Sequence, residues 1–287
     1  MVGPPSPSTV GAAFPATLTD DEGVEVTLRS APQRIVTWAP SITEILFALG
    51  LGDRVIGVSG RFDDFPPEAQ GIEQVGGSDF EPNVEKVVSL EADLVVAGFG
   101  GGEEWKLSLR AQGIAVFTVI ATDYDDAVDD IETIGRLTGS SVRAGEVAGT
   151  MRAKARSVRE SLSGEARVTC FYEVGFEGGF FTVGPGSFIY DLLQRAGCDP
   201  ATSDATEPFP QWSVEELVDD DPDVYLVSSD SVGSAMEKVA ARPGFGGLTA
   251  VVEGRVALID ADLLDRPGPR LADGLERLVR ALHPEAF

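Results

Sequence analysis

One stretch of this chain is written twice. The segment NVEKVVSLEADLVV, from Asn83, aligns without a gap to SVEELVDDDPDVYLV, from Ser213, so that Asn83 meets Ser213, Glu85 meets Glu215, Val88 meets Val218 and Asp93 meets Asp223. In each copy a residue able to cap a helix precedes Val-Glu, and an apolar strand follows the Asp. A repeat that joins a helix to a strand in this way implies two structural copies of one α/β unit.

The rest of the sequence is compatible with that duplication. From Arg34 onward short apolar runs alternate with amphipathic segments, the pattern of strands and helices in an α/β sheet. Ile35–Trp38 reads as a strand; Ser41 and Glu44 are spaced as a capping box, and Ile42, Ile45, Leu46 and Leu49 then recur at helical spacing until Gly50. Further strands are expected at Val55–Val58, Leu94–Ala97 and Ala115–Val119, with helices near Pro82–Ser89 and Glu103–Gln112. A helix should run from Asp123 to about Thr138; after Gly139 and Ser140 a second one carries Ala144, Ala148, Met151, Ala155, Val158 and Leu162 four and three residues apart. Beyond it, strands are expected at Val168–Tyr172, Phe180–Val183, Val224–Val227 and Val256–Ile259, with helices at Phe188–Ala196 and Leu271–Leu282. The expected layout is a flexible N-terminal tether (1–20), an N-terminal α/β lobe (21–140), an interlobe spine helix (141–163) and a C-terminal α/β lobe (164–287). These would be two Rossmann-like lobes joined by a long rigid helix, with a ligand cleft between them.

Composition narrows the function. A formal charge of -25 repels polyanions, which argues against nucleic acid as a partner. The helix face bearing Arg143, Arg152, Lys154, Arg156 and Arg159 is an unusual basic patch in so acidic a chain. No apolar run is long enough to span a bilayer. The stretch Val2–Pro15, rich in Pro, Ser, Thr and Ala, reads as a tether, and no export signal is visible at Met1. The two cysteines, Cys170 and Cys198, are too few for a zinc cage. They form either one disulfide, worth roughly 3 to 4 kcal/mol in the chain-entropy model, or two separate buried thiols. The single histidine, His283, leaves no Ser-His-Asp or Cys-His system and no histidine-rich metal site. Carboxylate-pair hydrolysis remains a remote alternative to a binding role.

With the paired glutamates in place, the sequence resembles the substrate-binding proteins for cobalamin and ferric siderophores that serve ABC importers. The resemblance spans about Pro32 to Phe287. It rests on PQRIVTWAPSITEILFALGLGDRVIGVS, the DDFPPEA loop from Asp63, NVEKVVSLEADLVV, GPGSFIYDLL from Gly184, PFPQWSVEEL from Pro208 and DADLLDRPGPRL from Asp260. Cobalamin binders are the nearest likeness, through the FPPEA-like loop, the aromatic-Pro-Gln segment and the final Asp…Arg segment. The match departs at GGSDFEPN, where Phe80 stands near the place of an expected Trp.

The resemblance implies a non-enzymatic protein without a cofactor of its own, carrying cobalamin or, alternatively, a ferric siderophore as its transported ligand. Haem is the least favoured ligand; Tyr172, Tyr190 and Tyr225 are its candidate axial residues. The partner would be the permease dimer of an ABC importer, reached by a monomer that is periplasmic or a cell-surface lipoprotein, tethered at the membrane without spanning it. Glu85 and Glu215 would dock on permease arginines. A flat, amide-fringed macrocycle needs apolar walls and a few polar groups at the rim, for which the candidates are Trp38, Phe62, Phe65, Phe80, Phe209, Trp212, Asp262 and Arg266.

Overall fold

A computed structural model describes residues 14–76, 82–176, 179–228 and 235–286. The chain divides into two compact units, Met1–Ile120 with Val128–Thr150, and Ala121–Ala127 with Met151–Phe287. Among the described residues no helix is long and apolar enough to cross a membrane.

The first unit opens on an antiparallel hairpin, β1 (Ala16–Thr19) and β2 (Glu25–Leu28), with Ala16 opposite Leu28 and Thr19 opposite Glu25. This corrects the expected tether at its C-terminal end; residues 1–13 lie outside the described part of the chain. The hairpin forms because Asp20 closes the turn, its Oδ1 accepting from the Glu22 and Val24 amides, while Gly23 supplies a positive φ of 81°. Then follow β3 (Ile35–Trp38), α1 (Pro40–Ala48), β4 (Val55–Gly57), α2 (Val84–Ser89), β5 (Leu94–Ala97), α3 (Glu103–Ala111) and β6 (Ala115–Thr118). The four strands β3 to β6 make a parallel sheet in the order β4-β3-β5-β6. All residues of β3 and β5 are buried, as befits central strands with both faces covered.

The expected capping box at Ser41 and Glu44 does not form. Pro40, with its fixed φ, starts α1 two residues early, so Ser41 lies inside the first turn and Ala39 takes the cap position with no side-chain bond. After α4 (Tyr124–Thr138) and Gly139, α5 (Ser141–Ser161) runs unbroken through Gly145 and Gly149. Ala144, Ala148, Met151 and Val158 form its buried stripe. Its N-terminal half and α4 approach closely enough that a Cβ placed on Gly135 would overlap that of Ala144.

The second unit contains β7 (Val168–Glu173), α6 (Phe188–Arg195), β8 (Cys198–Pro200), α7 (Val214–Asp220), β9 (Val224–Ser228), α8 (Ala235–Ala240), α9 (Thr249–Val252), β10 (Val256–Ile259), α10 (Ala261–Leu264) and α11 (Leu271–Leu282). Its parallel sheet, β8-β7-β9-β10, follows the same path as the first. Cys170 and Cys198 join β7 to β8 in a buried disulfide with a Cα–Cα distance of 5.9 Å. The expected strand Phe180–Val183 is reduced to isolated bridges at Phe181. Its neighbour is Pro208-Phe209-Pro210, whose prolines accept from Gly184 and Thr182 but have no N–H to return, so a ladder cannot close.

The sequence repeat is a repeat of atoms. Asn83 caps α2 by accepting from the Lys86 amide, and Ser213 caps α7 in a full capping box with Glu216. Past each helix comes a non-glycine residue with positive φ, Glu91 at 51° and Asp221 at 39°, at matching positions. Two residues later Asp93 accepts from the Gln33 and Arg34 amides, and Asp223 accepts from the Thr169 amide and hydroxyl.

Gly135→Ala tests the α4–α5 approach. Helix propensity alone would make this change favourable by about 1 kcal/mol; the overlap with Ala144 should instead make it destabilising by about 1–3 kcal/mol, read from urea unfolding. A gain in stability would show that the two helices are not in contact there.

Candidate functional site

In parallel α/β sheets, ligands bind at the carboxyl ends of the strands, where the connecting loops converge. In the first unit β3 ends on Trp38, which is 4% exposed. Its ring lies 6.3 Å from that of Trp105 and 6.5 Å from that of Phe99, and its indole N–H has no acceptor among the described residues. Trp38 is therefore a buried floor, and Phe99, more than a third exposed, is the aromatic surface above it. Sequence reasoning missed Phe99; the available signal was an aromatic set among glycines immediately after β5, in GFGGG.

The loop after β4 carries Phe62, 54% exposed, and Phe65, also exposed. Its shape is set by the buried Asp63, whose Oδ2 accepts from the Ser59 hydroxyl at 2.5 Å and the Gly60 amide at 2.8 Å. Asp63 Oδ1 accepts from the Thr43 hydroxyl on α1, and Thr43 is 2.6 Å from Thr37 on β3. One chain of hydrogen bonds thus ties the aromatic loop to the strand that ends in Trp38. Arg61 covers the Phe62 ring at 4.5 Å. Phe80 lies outside the described residues.

The second unit ends its equivalent strand differently. The β3–β5 register places Trp38 beside Ala97, and the β7–β9 register places Glu173 beside Val227, so Glu173 holds the position that Trp38 holds in the first unit. Glu173 is fully buried. It accepts from the Tyr225 hydroxyl at 2.5 Å and from both terminal nitrogens of Arg242, whose guanidinium lies 4.0 Å from the Phe176 ring centroid. Burial, reinforced by the Glu173 charge, pushes the Tyr225 hydroxyl far up. Burial lowers Arg242, but its bonds to Glu173 and the attraction of that carboxylate outweigh burial and raise it. The network locks the post-β7 loop and the end of α8. Glu173 also escaped sequence reasoning, because it is the last residue of an otherwise apolar run.

The remaining candidates divide. Phe209 is 50% exposed, and Phe181, not anticipated, is nearly as open. Trp212 is half-buried against the core of the second unit, with Phe176 and Phe245 in the same cluster. Asp262 and Arg266 form an ion pair of 2.5 Å across one turn, and Arg266 is only 8% exposed. Tyr172 and Tyr225 are buried with their hydroxyls on Asp265 and Glu173, which removes them as haem ligands; Tyr190 is buried as well. His283 is buried with its ring on the Gly197 carbonyl at 3.3 Å. Glu85 and Glu215 are both exposed in the first turns of α2 and α7, where the helix dipole favours a carboxylate by about 0.3–1 kcal/mol.

Comparison with known proteins agrees in outline. A family model described as periplasmic binding protein matches residues 35–263. An uncharacterized ABC transporter substrate-binding lipoprotein of Bacillus subtilis is 34% identical over 281 residues, covering 96% of this chain and 87% of the relative. A cobalamin-binding protein of Halobacterium salinarum is 33% identical over 279 residues, covering 94% of this chain and 75% of the relative. The crystal structure of the periplasmic vitamin B12-binding protein of Vibrio cholerae superposes with a TM-score of 0.77 at 27% identity, covering 89% of this chain and 98% of that one.

Replacing Asp63 by Ala should lower stability by about 2–4 kcal/mol, since Thr43, Ser59 and the Gly60 amide lose one shared acceptor. Amide exchange should rise over residues 59–66 before it rises in β3. Uniform exchange across the first unit would show that Asp63 does not hold the loop.

Proposed function

This chain belongs to the periplasmic binding protein family, and on that premise we propose that it is the extracytoplasmic capture component of an ABC importer, with cobalamin or a related corrinoid as its ligand. The observation that carries the corrinoid reading is the aromatic edge of the first unit, where Phe62 and Phe65 after β4 and Phe99 after β5 are exposed and Phe99 lies against the buried Trp38. A corrin ring offers broad apolar faces to such side chains, and its fringe of amides can be met by a few polar groups at the rim of the site. Similarity to proteins named for cobalamin and vitamin B12 binding supports the same ligand. The family is one of binding and transport proteins, and the reading requires no catalytic step. Delivery would take place outside the cytoplasm, from a lipid-tethered or free form, to a permease dimer.

Titration with cyanocobalamin, dicyanocobinamide and a ferric hydroxamate, followed by tryptophan fluorescence, should give micromolar or tighter binding of the two corrinoids. Phe62→Ala and Phe65→Ala should each weaken that binding by on the order of tenfold. Binding of the hydroxamate alone would overturn the ligand assignment.

The exposed pair Glu85 and Glu215 is proposed to dock on cationic sockets of the permease, each glutamate presented by the same turn of a duplicated helix. The double substitution Glu85→Ala/Glu215→Ala should leave corrinoid affinity intact and abolish uptake in cells carrying the cognate importer. Undiminished uptake would reject the docking role.

A further inference from the structure

The second unit holds a concavity of about 370 Å³ lined by Arg152, Arg156 and Arg159 of α5, Arg195 of α6, and Tyr124 and Asp125. Four guanidinium groups line it with the Asp125 carboxylate, on a chain whose formal charge is -25, and Asp191 lies against one of them, Arg195. The volume falls within the usual range of small-molecule sites. Spacing of four and three residues sets Arg152, Arg156 and Arg159 along one stripe of the helix, where like charges a turn apart destabilise it.

The four arginines are not equivalent. Arg195 is anchored, with Nε 2.5 Å from Asp191 and Nη2 2.9 Å from Asp125, and its guanidinium lies over the Tyr124 ring at 5.3 Å. The Tyr124 hydroxyl donates to the Met151 carbonyl, so the ring is fixed as an apolar side of the concavity. Arg156 and Arg159 are exposed, and among the described residues neither has an ion-pair partner. In a chain with 47 acidic and 22 basic side chains, two neighbouring arginines without a carboxylate are an arrangement that surface solvation alone does not require. Guanidinium groups that converge from two helices match the tetrahedral, multiply accepting oxygens of phosphate better than a single carboxylate.

We infer that this concavity is a phosphate-recognition site, separate from the aromatic edge of the first unit. Its ligand bears a phosphate or diphosphate group, either on a soluble molecule or as the headgroup of an anionic lipid.

The two sources are separated with inorganic pyrophosphate as the soluble probe, by calorimetry at near-physiological salt, and with sedimentation on vesicles of phosphatidylglycerol and phosphatidylcholine. Arg156→Gln/Arg159→Gln should weaken whichever binding occurs by on the order of tenfold or more. Arg143→Gln, on the same helix but outside the concavity, should not change it, and neither variant should alter corrinoid affinity. Pyrophosphate binding without vesicle binding assigns a soluble phosphate compound; vesicle binding lost in the double variant assigns the headgroup. No binding of either probe, or binding that the double variant retains, overturns the proposal.

Discussion

A carboxylate that grips the start of a neighbouring strand is the constraint on which both units are built. Asp93 and Asp223 each follow a short helix and a left-handed turn residue, and each accepts hydrogen bonds from backbone amides at the start of the adjacent central strand. A parallel pair has no tight hairpin to fix its alignment, and a slip of one residue would turn every side chain to the opposite face. The clamp supplies the missing alignment. It puts Ile35 beside Leu94 in one unit and Cys170 beside Val224 in the other, and so determines which residue emerges at the carboxyl end of each strand.

From that common scaffold the two edges diverge. The first unit ends β3 on an aromatic ring whose N–H has no acceptor among the described residues, packs Phe99 against it, and exposes Phe62 and Phe65 on a loop pinned by Asp63. The second ends β7 on a carboxylate that is fully bonded to Tyr225 and Arg242. One edge exposes aromatic rings while the carboxylate at the other is internally satisfied, and breaking its bonds would strand a buried charge. Duplication thus conserved what holds the sheet and what presents Glu85 and Glu215, whereas the strand ends were free to specialise.

This division explains what was legible in the sequence. The central strands and long helices are written in the local period, and Ile35–Trp38, Leu94–Ala97, Val256–Ile259 and Leu271–Leu282 fall where the pattern places them. The Phe180–Val183 run has a strand's composition, but whether it becomes one depends on the donors of its partner, and prolines at 208 and 210 lie too far away in sequence for a local pattern to register them. β8 is three residues long and is held to β7 by pairing and the disulfide, with little period of its own. Among the site residues, Phe62, Phe65 and Phe209 are exposed in loops of recognisable motif, but the burial of Trp38 beneath Phe99 and the bonding of Glu173 are tertiary facts. A residue at the end of a strand reads the same in sequence whether it faces a ligand or a neighbouring side chain.

Scarcity of cations gives a further constraint. With about two acidic side chains for every basic one, a buried carboxylate competes for few partners. Some of those partners are spent where burial makes an unpaired charge most costly. Lys106, itself fully buried, holds both oxygens of Glu22 at 2.6 Å and so fastens the N-terminal hairpin to α3. Burial raises the Glu22 carboxyl, but the Lys106 bonds and charge, with the Gly101 amide, outweigh it and leave the group below its ordinary range. The clamp therefore holds above the ordinary carboxylate range and weakens as pH falls through the depressed value. Arg242 does the same service for Glu173, whereas in the Arg266–Asp262 pair it is the arginine that is buried. Other cations pair at the surface, as Arg143 does with Glu146 and Arg167 with Asp199. Arg156 and Arg159 on α5, which have no ion-pair partner among the described residues, stand apart from this pattern, and the anion proposed for their concavity would supply the missing counter-charge.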